Sequence, residues 1–145
     1  MRAKTIIVVL LSVALGGCSY EYDIIATVRD GRIVFVVDPE SSHAPSCVRR
    51  VEVSVVGARD YAWRESVDYD DACADKFPIV YGVSFKGSNQ PEWPAIPAKL
   101  LRRGVTYEVS TTTGATGYGA GRFSIREDGR VVNEQVLPIT KPNAR

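Results

Sequence analysis

The feature that most constrains the fold is an Asp-Gly pair at 30–31, which separates two apolar stretches of equal length, Ile24–Arg29 and Arg32–Val37. Asp-Gly between alternating apolar residues is a strong hairpin signal, because a type I′ turn needs positive φ at both central residues. A two-residue loop places Ala26 opposite Phe35, and it makes one face of the strand pair apolar. The segment is therefore predicted to form a β-hairpin.

Alternation with a period of two continues along the chain. Apolar residues alternate with polar ones at Val51, Val53 and Val55, and again at Val105, Tyr107 and Val109. No stretch after the first 20 residues sustains a 3.6-residue period, and Gly or Pro interrupts most candidate helical windows. We therefore expect an all-β domain, a single antiparallel sandwich of about seven to eight short strands.

A second Asp-Gly pair, at 128–129, predicts a closing hairpin between Phe123–Glu127 and Arg130–Glu134. A two-residue loop here would place Ile125 opposite Val132. The two predicted hairpins thus bracket the domain.

Composition narrows the function classes. The 145 residues are 45% hydrophobic and 24% charged, with a formal net charge of +1, which fits one globular domain and gives no electrostatic case for nucleic acid. The chain has a single histidine, His43, and neither a Gly-x-Ser-x-Gly nor a His-Glu-x-x-His motif. We therefore expect no enzyme and no cofactor.

The N-terminus has the pattern of a secretory signal peptide: a basic start, an apolar run at Ile6–Leu15 and small residues before Cys18. The run is shorter than the roughly 20 residues that span a bilayer. Leu15-Gly16-Gly17-Cys18 resembles the lipobox of bacterial lipoproteins. The resemblance implies a lipid on Cys18 and, with Ser19 rather than Asp next to it, sorting to the outer membrane with the domain facing the periplasm. An ordinary leader with Cys18 as a free or paired thiol is the alternative.

This interpretation divides the chain into four parts. They are a signal peptide at 1–17, a lipidated N-terminus and short tether at 18–21, a β-sandwich at 22–138 and a C-terminal tail at 139–145. Exposure on the cell surface stays open.

Two further cysteines, Cys47 and Cys73, remain if Cys18 carries the lipid. Export places them in a compartment that permits disulfides, and two thiols have only one pairing. A Cys47–Cys73 disulfide is therefore predicted. The rival interpretation, a redox or nucleophilic pair, lacks a Cys-x-x-Cys motif.

The segment 101–109 reads Leu-Arg-Arg-Gly-Val-Thr-Tyr-Glu-Val. It resembles the Leu-x-x-Gly-x-x-Tyr-x-Val start of a late strand in immunoglobulin-like and fibronectin type III domains. The resemblance implies a tyrosine corner, in which the Tyr107 hydroxyl bonds back to the chain, and it makes Trp63 a candidate buried tryptophan. The antibody-type disulfide is absent because Val109 stands two residues after Tyr107, so the strand order stays open.

An acidic loop is a candidate calcium site because oxygen ligands suit this ion. Its carboxylates are Asp68, Asp70, Asp71 and Asp75. The loop lacks the glycine and closing glutamate of an EF-hand, so we predict a solvated turn beside the disulfide and no metal site.

Two loop aromatics are the candidate binding residues. Pro91–Pro97 has proline at every third position, which fits polyproline II and places Trp93 and Ile96 on one edge; Trp93 then either packs as a strap or faces a partner. The glycine-rich run 114–121 is predicted to be a flexible hairpin loop with Tyr118 at its tip, because no helix follows to form an anion cradle.

The sequence therefore predicts a non-enzymatic envelope lipoprotein that acts by contact, either as an interaction module or as a structural one. Its partners would be the membrane through the lipid, and an envelope protein or a cell-wall component. The alternative is a small-ligand or glycan-binding domain that uses Trp93, Tyr118 or the acidic loop.

Overall fold

The computed structural model describes residues 18–68, 70–87, 91 and 93–135. The predicted signal peptide at 1–17 and the tail at 139–145 lie outside this part of the chain, as does the end of the predicted domain at 136–138. The strands are β1 (Tyr20–Arg29), β2 (Arg32–Val37), β3 (Arg50–Val55), β4 (Tyr61–Ser66), β5 (Ile79–Val80), β6 (Thr106–Thr112), β7 (Gly117–Ile125) and β8 (Val131–Glu134). The described residues include no helix, and thus none that could cross a membrane. The all-β prediction is confirmed.

The strands form one curled, mixed sheet in the order β4-β3-β6-β7-β1-β2-β5, with β8 also paired to β7. Every pair is antiparallel except β1 and β7, which run parallel over Tyr20–Asp23. The prediction of a purely antiparallel sheet is therefore wrong. Parallel neighbours need a long connection between them, and the many residues from β1 to β7 supply it. Alternation cannot reveal this, because a period of two is the same in either direction.

The first hairpin has the predicted register, with Ala26 opposite Phe35. Asp30 and Gly31 both have positive φ, 52° and 71°, as a type I′ turn requires. Within β1 the partner changes, because residues 20–23 pair with β7 and residues 24–29 with β2. The Asn133 side chain replaces the lost strand contact: its Nδ2 donates to the Ala26 carbonyl at 2.9 Å, and its Oδ1 accepts from the Ala26 N–H at 2.7 Å.

The closing hairpin forms, but its predicted register is wrong by one residue. Ile125 lies opposite Val131, not Val132. The Arg126 N–H donates to the Arg130 carbonyl at 2.8 Å, so the loop has three residues, and within it only Gly129 has positive φ. Three-residue loops commonly place glycine in this left-handed position.

The core lies on the inner face of the curled sheet. Its largest fully buried side chains include Trp63, Tyr107, Phe35 and Phe123. The Phe123 ring packs 5.5 Å from Phe35 and 5.6 Å from Tyr107, measured between centroids. The Tyr107 hydroxyl accepts the Arg102 N–H at 2.8 Å, which is the bond that the motif at 101–109 implies.

The Cys47–Cys73 disulfide is present, with Cα atoms 5.2 Å apart, and the predicted pairing is confirmed. It joins the segment before β3 to the loop after β4. Cys18 is exposed and unpaired, and only Ser19 separates it from β1. The expected tether at 18–21 is thus shorter than predicted, because Tyr20 and Glu21 already belong to the sheet.

Candidate binding face

The outer face of β4, β3, β6 and β7, which we call the aromatic face, brings both candidate aromatics to one side of the molecule. Residues directly opposite each other in neighbouring strands point to the same face. One such row crosses the sheet through Ser66, Arg50, Thr112, Tyr118 and Glu21. The inner face of the same strands carries the core.

Trp93 is attached to this row at the β4 edge. The Trp93 N–H donates to the Ser66 hydroxyl at 3.1 Å, and that hydroxyl donates to the Trp93 carbonyl at 2.9 Å. Three residues further on, Ile96 exchanges both backbone hydrogen bonds with Arg64, at 2.9 and 3.1 Å. The proline-rich segment therefore covers an edge strand that would otherwise be open to pairing.

Backbone attachment leaves the Trp93 side chain 43% exposed. Arginine side chains approach its ring: the guanidinium carbons of Arg50 and Arg64 lie 5.4 and 6.0 Å from the ring centroid, within the range of cation–π attraction. Glu52 lies 3.8 Å from Arg50 and 3.7 Å from Arg64, and it holds the two cations side by side. The indole is therefore positioned by its neighbours but not enclosed. The two interpretations from the sequence therefore both apply: the backbone of Trp93 packs as a strap, and its ring is free to face a partner.

Tyr118 is also exposed, at 46%, but it does not lie at a loop tip. It belongs to β7, between Thr112 of β6 and Glu21 of β1, so the predicted flexible loop is wrong for this residue. Its hydroxyl donates to the Ala115 carbonyl at 3.3 Å. The strand therefore fixes the position of the ring on the aromatic face.

The glycines of this run have a packing role. A Cβ at Gly119 would meet the Tyr22 ring, and a Cβ at Gly121 would meet the Ile24 carbonyl. Both glycines are buried in β7 and let β1 approach closely. Glycine inside a strand often marks such an approach, but the sequence alone does not distinguish it from a flexible loop.

The surface between the two aromatics is shallow. Thr112, Ser110 and Ala120 are small and lie on this face in β6 and β7. An ion pair between Arg122 and Glu108, at 3.1 Å, lies further along the same strands. Ser66 and Tyr118 are three strand spacings apart, which is roughly 14 Å. The face can contact a flat or extended partner at both aromatics, and this geometry does not enclose a small molecule.

The acidic loop is held together by its own backbone. The Asp75 carboxylate is buried and accepts the N–H groups of Lys86 at 2.9 Å and Gly87 at 3.1 Å. The Asp71 carboxylate accepts the Ala74 N–H at 3.1 Å. Across the described ranges, no three His, Cys, Asp or Glu side chains are grouped to hold a metal. Asp75 therefore acts as a structural acceptor.

Asp68 and Asp70, the other two candidate ligands, lie in the same loop; Asp70 is exposed and Asp68 half-buried. His43 is exposed, with its ring 5.6 Å from that of Tyr20. It belongs to an open groove beside the start of β1, which Cys18 and Ser42 also line.

The strongest pKa shifts belong to core tyrosines. Burial raises the pKa of Tyr22 to about 12, even though its hydroxyl is hydrogen-bonded to the Thr111 hydroxyl at 2.6 Å. Burial likewise raises the pKa of Tyr81 to about 12, and its hydroxyl donates to the Lys99 carbonyl at 2.8 Å. Both phenols stay protonated at neutral pH and act as structural hydrogen-bonding groups.

Comparison of the chain with protein-family models, curated proteins and solved structures gave no match. Sequence reasoning identified Trp93 and Tyr118 but missed Arg50, Glu52 and Arg64. The alternation itself indicated their face, because Arg50 and Glu52 are the polar positions on either side of Val51, and Arg64 follows Trp63.

Proposed function

We propose that this chain is a non-enzymatic, lipid-anchored envelope protein that binds a partner through the aromatic face. The observation that carries this proposal is that, among the described residues, Trp93 and Tyr118 are the only exposed aromatic side chains, and they lie on the outer side of a sheet whose other aromatics are buried or half-buried. Tryptophan, tyrosine and arginine dominate the energetics of protein interfaces. Trp93 with Arg50 and Arg64 provides such a group at one side of the face.

The proposed anchor is a lipid on Cys18 in the outer membrane, with the domain in the periplasm. The lipobox-like segment 15–18 and the exposure of Cys18 support it. Because β1 begins at Tyr20, an acyl chain on Cys18 would hold the start of β1 close to the bilayer. The strands of the aromatic face would then extend away from the membrane.

We propose an immunoglobulin-like sandwich as the finer description of the fold. The bond from the Arg102 N–H to the Tyr107 hydroxyl and the burial of Trp63 support it. So does the change of partner within β1, which divides the curled sheet between a β7 side and a β2 side.

A protein is the favoured partner because the aromatic face is shallow and mixed in character. It combines aromatic rings, an Arg-Glu-Arg group and small residues, whereas small-molecule sites are concave and mostly apolar. A cell-wall glycan is the second candidate. The separation of Trp93 from Tyr118 by small side chains favours it, since both rings could stack on an extended polysaccharide.

The test of the face is photo-crosslinking and pull-down from intact cells with wild-type protein, Trp93→Ala, Tyr118→Ala and Trp93→Phe. We expect both alanine variants to lose the captured partner and Trp93→Phe to retain most of it, with thermal midpoints measured in parallel. Binding to purified peptidoglycan fragments separates the glycan candidate. Unchanged capture by both alanine variants would show that the face is not the binding site.

The anchor has its own test, the mass of the N-terminal peptide. We expect acyl chains on Cys18, and we expect Cys18→Ser to leave the membrane fraction or keep its leader. A wild-type protein that is soluble and begins after Cys18 would contradict the proposed lipidation. It would not bear on the proposal that the aromatic face binds a partner.

A further inference from the structure

Charge is segregated along the strand axis, although the whole chain is nearly neutral. The register places the start of β1 and the end of β4 at one end of the sheet, and the turns at 30–31, 98–105 and 126–130 at the other. The second end, which we call the basic pole, carries exposed Arg29, Arg32, Lys99, Arg102, Arg103 and Arg126. Its carboxylates include Asp30, Glu127 and Asp128.

Most cations of the basic pole are not held in ion pairs within the described chain. Arg29 and Arg32 are directly opposite each other across the first hairpin, and like charges in this arrangement are destabilising. Asp128 is engaged by Arg130, at 2.7 Å. Among the described residues no ion pair involves Arg29, Arg32, Lys99 or Arg102. The fold gains no stability from placing Arg29 opposite Arg32, which indicates that these charges serve contact with another molecule.

An apolar groove lies among these cations. Ile33, Tyr81, Leu101 and Ile125 line it together with Arg32 and Lys99, and its volume is about 480 Å³. Leu100 stands at the same groove and is 93% exposed, more than any other large apolar side chain in the described ranges. Exposed apolar area that is bordered by charge is typical of an interaction site.

We propose that the basic pole binds an acidic segment of a protein, which places an apolar side chain in the groove beside Leu100. Charge complementarity requires a partner rich in Asp or Glu. The groove and Leu100 require apolar groups as well, which a purely charged polymer lacks. This surface lies at the opposite end from Cys18 and is separate from the aromatic face.

Two other occupants fit less well. The proposed lipid on Cys18 would place the bilayer at the end of the sheet opposite the basic pole, which disfavours a membrane as the occupant. The exclusion of a membrane is the only part of this inference that rests on the proposed lipidation. A second copy would offer its acidic end, around Glu21 and Asp38. That contact would join different ends of the two copies, and such contacts produce open chains when they do not close.

The test uses the full-length chain in a non-ionic detergent and measures the fluorescence anisotropy of labelled peptides. The three probes are a Glu/Asp peptide containing leucines, the same peptide with serines in place of the leucines, and a Lys peptide containing the leucines. We expect the first to bind best, with an affinity that falls as salt rises. Leu100→Ser should weaken its binding about tenfold, the effect of one interface hot spot, and Arg29→Glu with Arg32→Glu should weaken it by at least about tenfold.

Matched controls separate this surface from others. Lys76→Glu and Lys86→Glu change exposed lysines outside the basic pole and should leave peptide affinity unchanged. Trp93→Ala should also leave it unchanged, so a failure of the aromatic face does not affect the result. All variants are checked for an unaltered thermal midpoint, because every substituted side chain is exposed.

The proposal is overturned if the leucine-containing acidic peptide does not bind at low salt, or if the charge-reversed variant binds it equally well. Equal binding of the serine peptide would indicate a polyanion instead. Preferential binding to phosphatidylglycerol vesicles would indicate a membrane. Salt-sensitive association of the chain with itself in sedimentation would indicate a second copy.

Discussion

The inner and outer faces of the sheet use aromatic residues in different ways. On the inner face, Phe35, Tyr107 and Phe123 are fully buried and pack ring to ring. On the outer face, Trp93 and Tyr118 are nearly half exposed, although their backbones are as firmly bonded. Burial accounts for the first group, whereas the second group leaves much of its aromatic surface open to contact. The comparison separates residues kept for folding from residues available for contact.

The largest effect should come from the inner face. Phe35→Ala removes a fully buried ring that contacts Phe123 and Tyr81. We expect a loss of about 3–5 kcal/mol in the free energy of unfolding, because both transfer energy and a cavity are involved. Chemical denaturation measures it. A loss near zero would mean that the curled sheet does not enclose this core.

The disulfide provides a reference value for the stability effects of the two faces, because it acts on the unfolded chain and belongs to neither face. Closing the 26-residue separation between Cys47 and Cys73 should stabilise the fold by about 3 kcal/mol. Reduction should therefore lower the thermal midpoint by several degrees. Non-reducing peptide mapping checks the pairing, and two free thiols in protein isolated without reductant would contradict it.

The two Asp-Gly hairpins show how far sequence reasoning reaches. Alternation and the Asp-Gly signal predicted both hairpins, and at 30–31 they also predicted the register. At 128–129 the same dipeptide forms a three-residue loop, because the Asp128 carboxylate accepts the Arg130 N–H at 2.9 Å and pairs with its Nε at 2.7 Å. These hydrogen bonds lower the pKa of Asp128. A local dipeptide signals a turn, but side-chain contacts select its length.

Long-range pairing was the part that the sequence did not reveal. The parallel pairing of β1 with β7 brings Tyr22 against Gly119. No local sequence pattern predicts this pairing. On the aromatic face this pairing adds β1 beside β7 and places Glu21 next to Tyr118, whose other neighbour is Thr112 of β6. Candidate residues could therefore be named from the sequence, but their common face could not.

Gly119→Ala tests whether the glycine run belongs to the inner face. The added Cβ would meet the Tyr22 ring and lie 2.5 Å from the Thr111 Oγ1 atom, and overpacking of this kind costs about 1–3 kcal/mol. Ala120→Ser, one residue further on the exposed face, is the matched control and should cost less than about 0.5 kcal/mol. Equal costs at both positions would contradict the assigned faces.

Alkaline pH should weaken the inner face selectively. The pKa values of Tyr22 and Tyr81 rise to about 12 from the ordinary value of 10.0, so the folded state holds protons that the unfolded state releases. The free energy of unfolding should be insensitive to these groups below pH 10.0, fall as the pH rises towards 12, and then level off. Denaturant midpoints across this range, compared with those of Tyr22→Phe and Tyr81→Phe together, measure it. An equally steep fall in the double variant would assign the effect to other groups.

The smallest stability effect should belong to the outer face, and it is the most informative for function. Tyr118→Ala removes a ring whose hydroxyl makes one long hydrogen bond, 3.3 Å to the Ala115 carbonyl. We expect a change below about 0.5 kcal/mol in the free energy of unfolding, the usual range for exposed positions, together with a clear loss of partner capture. Denaturation and capture are measured on the same preparation, with Tyr118→Phe as the variant that keeps the ring. A loss of several kcal/mol would instead place Tyr118 among the folding residues and remove it from the aromatic face.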